Sequence, residues 1–185
     1  MIGLVIGSAG CIDKELTEKI LPYCKSVAIN AACSLFVADY ASTSEISAYN
    51  NWSTLGNKCK NLLVHKSCIK SGYEFSDKIE MEDNNLLFYG HGNSALPAIN
   101  FLIKLGCKEI ILSGITFEPR WTYINLDLGK YHEPSHCEKI RQDLYSYANY
   151  TGLFCINRNT FDPKYVKTLN PEDLTINRER LIIKE

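Results

Sequence analysis

The chain has 185 residues, of which 45% are hydrophobic and 22% charged, and its formal net charge at pH 7 is −1. This length favours one domain, large enough to bury about 70% of the surface of its unfolded chain. The balanced charge, without a basic stripe or an acidic tail, argues against nucleic acid as a partner. No stretch approaches the roughly 20 apolar residues of a membrane span. We therefore expect a cytoplasmic protein without a transmembrane segment.

Short apolar runs alternate with helical patterns along the chain. In chain order, we predict strands near residues 2–6, 26–30, 35–38, 61–65, 86–89, 109–113 and 153–156. The clearest helices are predicted from Asp13, from Ser94 to a stop at Gly106, and from Ser135, where Ser135 and Glu138 have the spacing of a capping box. The strand–helix–strand run over 86–113 predicts a βαβ unit with parallel strands.

These elements predict the fold class and its extent. The alternation indicates a single α/β Rossmann-like three-layer domain with a mostly parallel central sheet of about seven strands. We assign residues 1–185 to this domain, with 157–185 as a C-terminal extension that carries little core signal before Leu181.

Eight cysteines are spread singly along the chain, without a Cys-x-x-Cys pair. They are Cys11, Cys24, Cys33, Cys59, Cys68, Cys107, Cys137 and Cys155. Disulfide frameworks belong to short secreted chains and zinc sites need clustered ligands, so this spacing predicts reduced structural thiols and no metal. His132 and His136 have an i, i+4 spacing that zinc could use, but no third ligand cluster accompanies them.

In doubly wound sheets, ligands bind at the carboxyl edge, so the residues that follow strands are the first candidates for a site. These candidates are Gly7, Ser8, Ala9, Gly10, Asn30, Asp39, Gly92, Asn93, Ser94, Gly114 and Thr116. The turn Gly7–Gly10 could present backbone N–H groups to a phosphate. It could equally be an ordinary tight turn, because the Gly-x-Gly-x-x-Gly and Walker patterns are both absent.

Two histidines lie near the start of the last predicted helix. The positive end of a helix dipole disfavours imidazolium, so either ring would stay neutral near pH 7, as a general base requires. His136 falls inside the first helical turn, whereas His132 precedes it on a long loop and is free to project over the sheet edge. We therefore predict His132 as the base, with His136 as the second candidate.

Several segments resemble the bacterial sialyltransferases of glycosyltransferase family 42. Asn93-Ser-Ala95 and Leu105–Phe117, which reads LGCKEIILSGITF, resemble the family's central signature. Val5–Ile12 looks like the family's first loop. Val27–Asn30 resembles the family strand whose terminal asparagine contacts the nucleotide. His132 and the helix that follows it resemble the family segment that carries the general base. A related group, the 6-hydroxymethylpterin pyrophosphokinase-like proteins of an archaeal type, shares the first loop and the Leu-Gly signature.

The resemblance implies transfer of a sugar from a CMP-activated donor to an acceptor hydroxyl, without a metal or another cofactor. It places Gly7–Gly10, Asn30, Asn93 and Ser94 around the nucleotide. It makes Tyr123 the group that steadies the departing phosphate and His132 the base that deprotonates the acceptor.

Two alternatives stay open. One is a pterin-type pyrophosphokinase that uses ATP and Mg²⁺, for which Asp39 is the acidic residue expected at the carboxyl edge. The other is a non-catalytic nucleotide-binding or interaction module, since Ala9, Gly10 and Thr116 depart from the family pattern. We predict a nucleotide or nucleotide-sugar as the small-molecule partner, although an interaction module could have a partner that is not a nucleotide. Formation of a homo-oligomer stays open.

Overall fold

A computed structural model describes residues 1–43, 56, 58–65, 78–81, 94–122, 129–131, 133–156, 161–178 and 180–184. Its strands are β1 (Ile2–Ile6), β2 (Lys25–Ile29), β3 (Tyr40–Thr43), β4 (Asn61–His65), β5 (Lys78–Met81), β6 (Glu109–Ser113), β7 (Arg120–Thr122), β8 (Gly129–Tyr131), β9 (Gly152–Cys155), β10 (Lys167–Thr168), β11 (Leu174–Asn177) and β12 (Arg180–Ile183). Within these ranges, eight strands form one sheet in the order β10-β9-β6-β1-β2-β3-β4-β5, and every neighbouring pair is parallel. The remaining four strands form two antiparallel ribbons, β7–β8 and β11–β12.

Three α-helices accompany these strands in the described ranges: α1 (Lys14–Ile20), α2 (Ala95–Lys104) and α3 (Pro134–Ser146). Single 3₁₀ turns cover Leu21–Tyr23, Asn30–Ser34, Tyr147–Asn149 and Pro171–Asp173. Asp13 begins α1 as predicted, because its carboxylate accepts the Leu16 N–H at 2.9 Å. No helix of the described part of the chain is long and apolar enough to cross a membrane.

The core lies on both faces of the sheet, which makes the architecture three-layered. Along β1, Leu4 and Ile6 point to one face and Val5 to the other, and all three are fully buried. Val5 packs in the cluster that α2 and α3 cover, whereas Leu4 and Ile6 pack in the cluster that contains Leu16 and Ile20 of α1. A central strand that is buried on both faces needs a continuous apolar run, and this run made β1 predictable from the sequence.

The predicted α/β Rossmann-like class is confirmed. The strands predicted at 2–6, 61–65 and 109–113 match β1, β4 and β6, and those at 26–30 and 153–156 are displaced by one residue. The strand predicted at 86–89 lies outside the described residues, so the first half of the expected βαβ unit stays a prediction.

The strand predicted at 35–38 is wrong. The chain forms a 3₁₀ turn over Asn30–Ser34, and the next strand, β3, begins only at Tyr40. Phe36 and Ala38 belong to an irregular segment, and both side chains are buried in the core. Their burial explains the apolar pattern that suggested a strand. The true strand contains Ser42 and Thr43, whose polar side chains hid it from a hydrophobicity pattern.

Two features at the C-terminal end differ from the sequence-based expectation. The segment after 157 adds a parallel edge strand, β10, and buries Phe161, Val166, Leu169 and Leu181. The capping box predicted at Ser135 is absent: Glu133 is the N-cap residue of α3, and no side chain caps the helix. Pro134 occupies the first turn, where its missing N–H has no cost, and Glu138 instead accepts from Arg141 and Gln142, each at 2.7 Å.

Candidate functional site

The middle of the carboxyl edge is formed by the adjacent ends of β1 and β6. The Gly7 N–H donates to the Ser113 carbonyl at 2.7 Å, and the Ala9 N–H donates to the Gly114 carbonyl at 3.1 Å. A Cβ on Gly7 would lie 2.2 Å from the Gly114 oxygen, and one on Gly114 would lie 2.7 Å from the Gly7 oxygen. Gly114 also has a left-handed backbone, with φ of +65°. Both glycines are therefore required for a close backbone contact, whatever else they do.

The turn after β1 is short and partly buried. Ser8 and Ala9 are buried, whereas Gly10 and Cys11 are exposed at its tip. The Ile12 N–H closes the turn on the Ala9 carbonyl at 3.1 Å, so the amides of Gly7, Ala9 and Ile12 are all engaged by backbone carbonyls. The amides of Ser8 and Gly10 take no part in these three bonds.

Asn30 and Ser94 meet at this edge although 64 residues separate them. Asn30 directly follows β2 and has a left-handed backbone with φ of +51°, a conformation that costs a residue other than glycine free energy. Ser94 is the N-cap residue of α2, but its hydroxyl lies 3.5 Å from the Asn30 Oδ1 and does not cap the helix. The contact brings the end of β2 and the start of α2 together.

The segment after β6 forms the other side of the edge. Thr116 is buried, and its hydroxyl accepts the Glu118 N–H at 3.3 Å, so it stabilises its own turn. Phe117 has a left-handed backbone, with φ of +49°, and its ring packs edge to face against that of Phe161, with the ring centroids 6.0 Å apart. Although Cys11 is exposed as a residue, its sulfur is partly desolvated, and this raises its pKa with a smaller contribution from the Glu118 carboxylate. The segment after β6 therefore lies beside the turn after β1.

Asp39 lies at the opposite edge from the one predicted. Because β3 begins at Tyr40, Asp39 precedes a strand instead of following one. Its carboxylate accepts from the Ser26 amide at 3.1 Å and pairs with Lys60 at 3.3 Å and Lys25 at 3.7 Å. Burial by itself would raise the pKa of Asp39, but these donors and cations outweigh it and hold the pKa below the usual value. Asp39 therefore joins the starts of β2, β3 and β4.

His136 lies in the first turn of α3, half-buried, and its backbone N–H donates to the Glu133 carbonyl at 3.0 Å. The other predicted site residues, Gly92, Asn93, Tyr123 and His132, lie outside the described residues. Their roles stay predictions.

With β3 in its observed place, Ser42 becomes an edge residue that the sequence interpretation missed. It pairs in register with Ile29, the residue before Asn30, and its hydroxyl is fully buried without a hydrogen-bond partner. No local signal marked it, because a serine in a polar stretch is typical of loops. Across the described ranges, no group of three or more His, Cys, Asp or Glu side chains could hold a metal ion.

Comparison with known proteins gives one relevant structure. No family model and no curated protein sequence matches the chain. Its structure is similar to that of the sialyltransferase CST-II, solved in complex with a trisaccharide acceptor and CMP, with a TM-score of 0.63 and 13% sequence identity over 100% of this chain and 96% of that chain. At this identity, the similarity shows that the two proteins share a fold along their whole length.

Proposed function

We propose that the protein is a sialyltransferase-like glycosyltransferase of the family 42 type, which transfers a sugar from a CMP-activated donor to an acceptor hydroxyl. One observation carries the proposal: the Asn30–Ser94 contact lies at the carboxyl edge of a fold shared with a sialyltransferase that was solved with CMP. In parallel α/β sheets this edge is where ligands bind.

The geometry suits a nucleotide in three ways. The Asn30 Oδ1 faces the Ser94 hydroxyl, so the Nδ2 group is left as a donor toward a ribose or a base. The Ser8 and Gly10 amides can face phosphate oxygens. The backbone contact between Gly7 and Gly114 holds the ends of β1 and β6 close together at this edge.

The chemistry proposed for this site needs no metal. His132 accepts the proton of the acceptor hydroxyl while the new bond forms between the acceptor oxygen and the anomeric carbon of the sugar. The bond from that carbon to the CMP phosphate oxygen breaks, and CMP leaves as a phosphate anion that Tyr123 steadies. His136 is the alternative base, and Asn93, Gly92 and Thr116 complete the nucleotide surroundings.

A ligand panel tests the proposal. At a hundredfold excess over its Kd, CMP should add about 2.7 kcal/mol to the free energy of unfolding. For a chain of this length, the melting temperature should rise by roughly 5–10 °C. CMP, CDP, ATP and GTP should be compared with and without Mg²⁺, followed by an assay for release of CMP from a CMP-sugar. A shift with ATP and Mg²⁺ alone would contradict the proposal.

One observation favours the non-catalytic alternative. The backbone contacts of Gly7, Ala9 and Gly114 explain the first turn structurally, without a ligand. A protein that binds CMP but releases none from any CMP-sugar would support the binding module. The pyrophosphokinase alternative needs a carboxylate at the carboxyl edge, and Asp39, the residue expected to supply it, lies at the amino edge.

A further inference from the structure

Cys33 and Cys59, 26 residues apart in the chain, lie side by side. Cys33 is fully buried in the 3₁₀ turn Asn30–Ser34, and Cys59 is half-buried just before β4. The Lys58 N–H donates to the Cys33 carbonyl at 2.9 Å, so the two backbones run next to each other here. The Cys59 sulfur lies 3.9 Å from the Cys33 carbonyl oxygen and 3.6 Å from that of Phe36.

The two thiols also contact each other, and the contact makes them chemically different. The Cys33 sulfur beside it lowers the pKa of Cys59, with help from the Ala38 backbone and against the effect of burial. Burial raises the pKa of Cys33, and the neighbouring Cys59 adds to this. Cys59 is therefore the better thiolate, and Cys33 is the thiol placed to react with whatever forms on it.

We propose that Cys33 and Cys59 are a redox-active pair, which a peroxide converts into a disulfide that rearranges the turn carrying Asn30. The backbone hydrogen bond from Lys58 to Cys33 brings the next residue, Cys59, beside Cys33, and a disulfide requires such close backbones. The Cys59 thiolate attacks a peroxide oxygen to form a sulfenic acid, and the displaced oxygen leaves as water after taking up a proton. The Cys33 sulfur then attacks the Cys59 sulfur and releases a second water, so that two thiols and one hydrogen peroxide give one disulfide and two waters.

Four of the five other described cysteines are less suited to this step. Burial is the main cause of the raised pKa of Cys11, Cys107 and Cys137, and it raises the pKa of Cys24 to about 12. A raised pKa keeps a thiol protonated and slow to attack a peroxide.

Oxidation would act on the turn through a specific bond. The Cys33 thiol donates to the Ala28 carbonyl at 3.2 Å, which holds the turn against β2. A disulfide removes that thiol proton and pulls the Cys33 sulfur toward Cys59. Asn30 begins the same turn in its left-handed conformation, so its contact with Ser94 changes as well.

The first test is peptide mapping of the full-length protein after treatment with a small excess of hydrogen peroxide and blocking with N-ethylmaleimide. A cross-linked peptide containing Cys33 and Cys59 is expected, and dithiothreitol should reverse it. Cys59→Ser should abolish the cross-link, and Cys33→Ala should leave a Cys59 sulfenic acid that dimedone traps. Cys11→Ser, in the turn after β1, should keep the cross-link. Alkylation of both cysteines after peroxide treatment, or pairing of Cys59 with another cysteine, would overturn the proposal.

The second test measures the turn without using a nucleotide. The amides of Leu35 and Phe36 donate to the Ala32 carbonyl at 3.0 and 3.1 Å, and we expect the oxidised protein to lose hydrogen-exchange protection there. A cross-link that leaves this protection unchanged would refute the rearrangement. The further expectation, a smaller CMP melting shift after oxidation, rests on the proposed function. If the reduced protein itself shows no CMP shift, the proposed function fails while the exchange result still decides this inference.

Discussion

The two edges of the sheet use similar polar residues in opposite ways. At the amino edge, the Asp39 carboxylate is satisfied by the Ser26 amide and by two lysines, and the resulting network ties three strands together. At the carboxyl edge, Asn30 holds a costly backbone conformation, its amide has a donor to offer, and the buried hydroxyl of Ser42 has no partner. Polar groups that satisfy one another stabilise the fold, whereas strained or unsatisfied ones are better candidates for a ligand.

The largest effect is expected for the histidine that we assign to the carboxyl edge. His132→Ala should lower turnover by about 10²- to 10⁴-fold and leave the CMP melting shift intact, because a general base acts on the acceptor proton and not on nucleotide binding. His136→Ala is the matched control, since that half-buried ring lies in α3, and it should retain most activity. CMP release and melting shifts measure both. If His136→Ala is the inactive variant, the two roles are exchanged.

The glycine contact at the same edge can be broken without touching a polar group. Gly7→Ala would place a Cβ 2.2 Å from the Gly114 oxygen. Because the Cβ is fixed to its own backbone and the oxygen is a backbone atom, neither can move away alone, and we expect a loss of about 3 kcal/mol in the free energy of unfolding. Gly106→Ala is the control: its φ is +88° but nothing lies within 4 Å of the added Cβ, so its cost should be about 1 kcal/mol. Urea unfolding compares the two. Equal losses of unfolding free energy in the two variants would show that the ends of β1 and β6 can move apart at little cost.

Asn30→Gly separates the ligand role of Asn30 from its conformation. Glycine adopts the left-handed backbone without strain, so the variant should be as stable as the wild type or more stable by up to about 1 kcal/mol. It removes the amide, so the CMP melting shift of roughly 5–10 °C should shrink or vanish. Arg178→Gly, at the left-handed position between β11 and β12 with φ of +55°, should relieve the same strain and keep the CMP shift. A full CMP shift in Asn30→Gly would remove Asn30 from the site.

The smallest effect is expected at the amino edge. Asp39 has a lowered pKa in the folded protein, so it contributes stability above its unfolded pKa, near 3.8, and that contribution is lost as the pH falls through the lower folded value. Asp39→Asn should therefore cost about 1 kcal/mol at pH 7, after allowance for solvent screening, and this difference should disappear in acid. Urea unfolding at several pH values measures it. The CMP shift should not change, and a change would return Asp39 to the site.

Much of the fold could be predicted from the sequence because it depends on local patterns. The continuous apolar runs of β1 and β6 indicate strands buried on both faces, and Asp13 and Gly106 mark a helix start and a helix end within one turn of the residues they serve. Asn30 was also recognisable, since it is a polar residue directly after an apolar strand. Each of these signals comes from interactions between residues a few positions apart.

The tertiary structure alone decided where polar residues come to lie. The sequence determined by itself that the chain is a parallel α/β protein, because burial on two faces requires apolar strands and each helix presents an apolar side to them. It did not determine that Asp39 begins a strand, that Asn30 meets Ser94, or that Cys33 meets Cys59. Those facts follow from the strand order and from the register of β2, β3 and β4, which long-range backbone pairing establishes and which no short window of residues encodes.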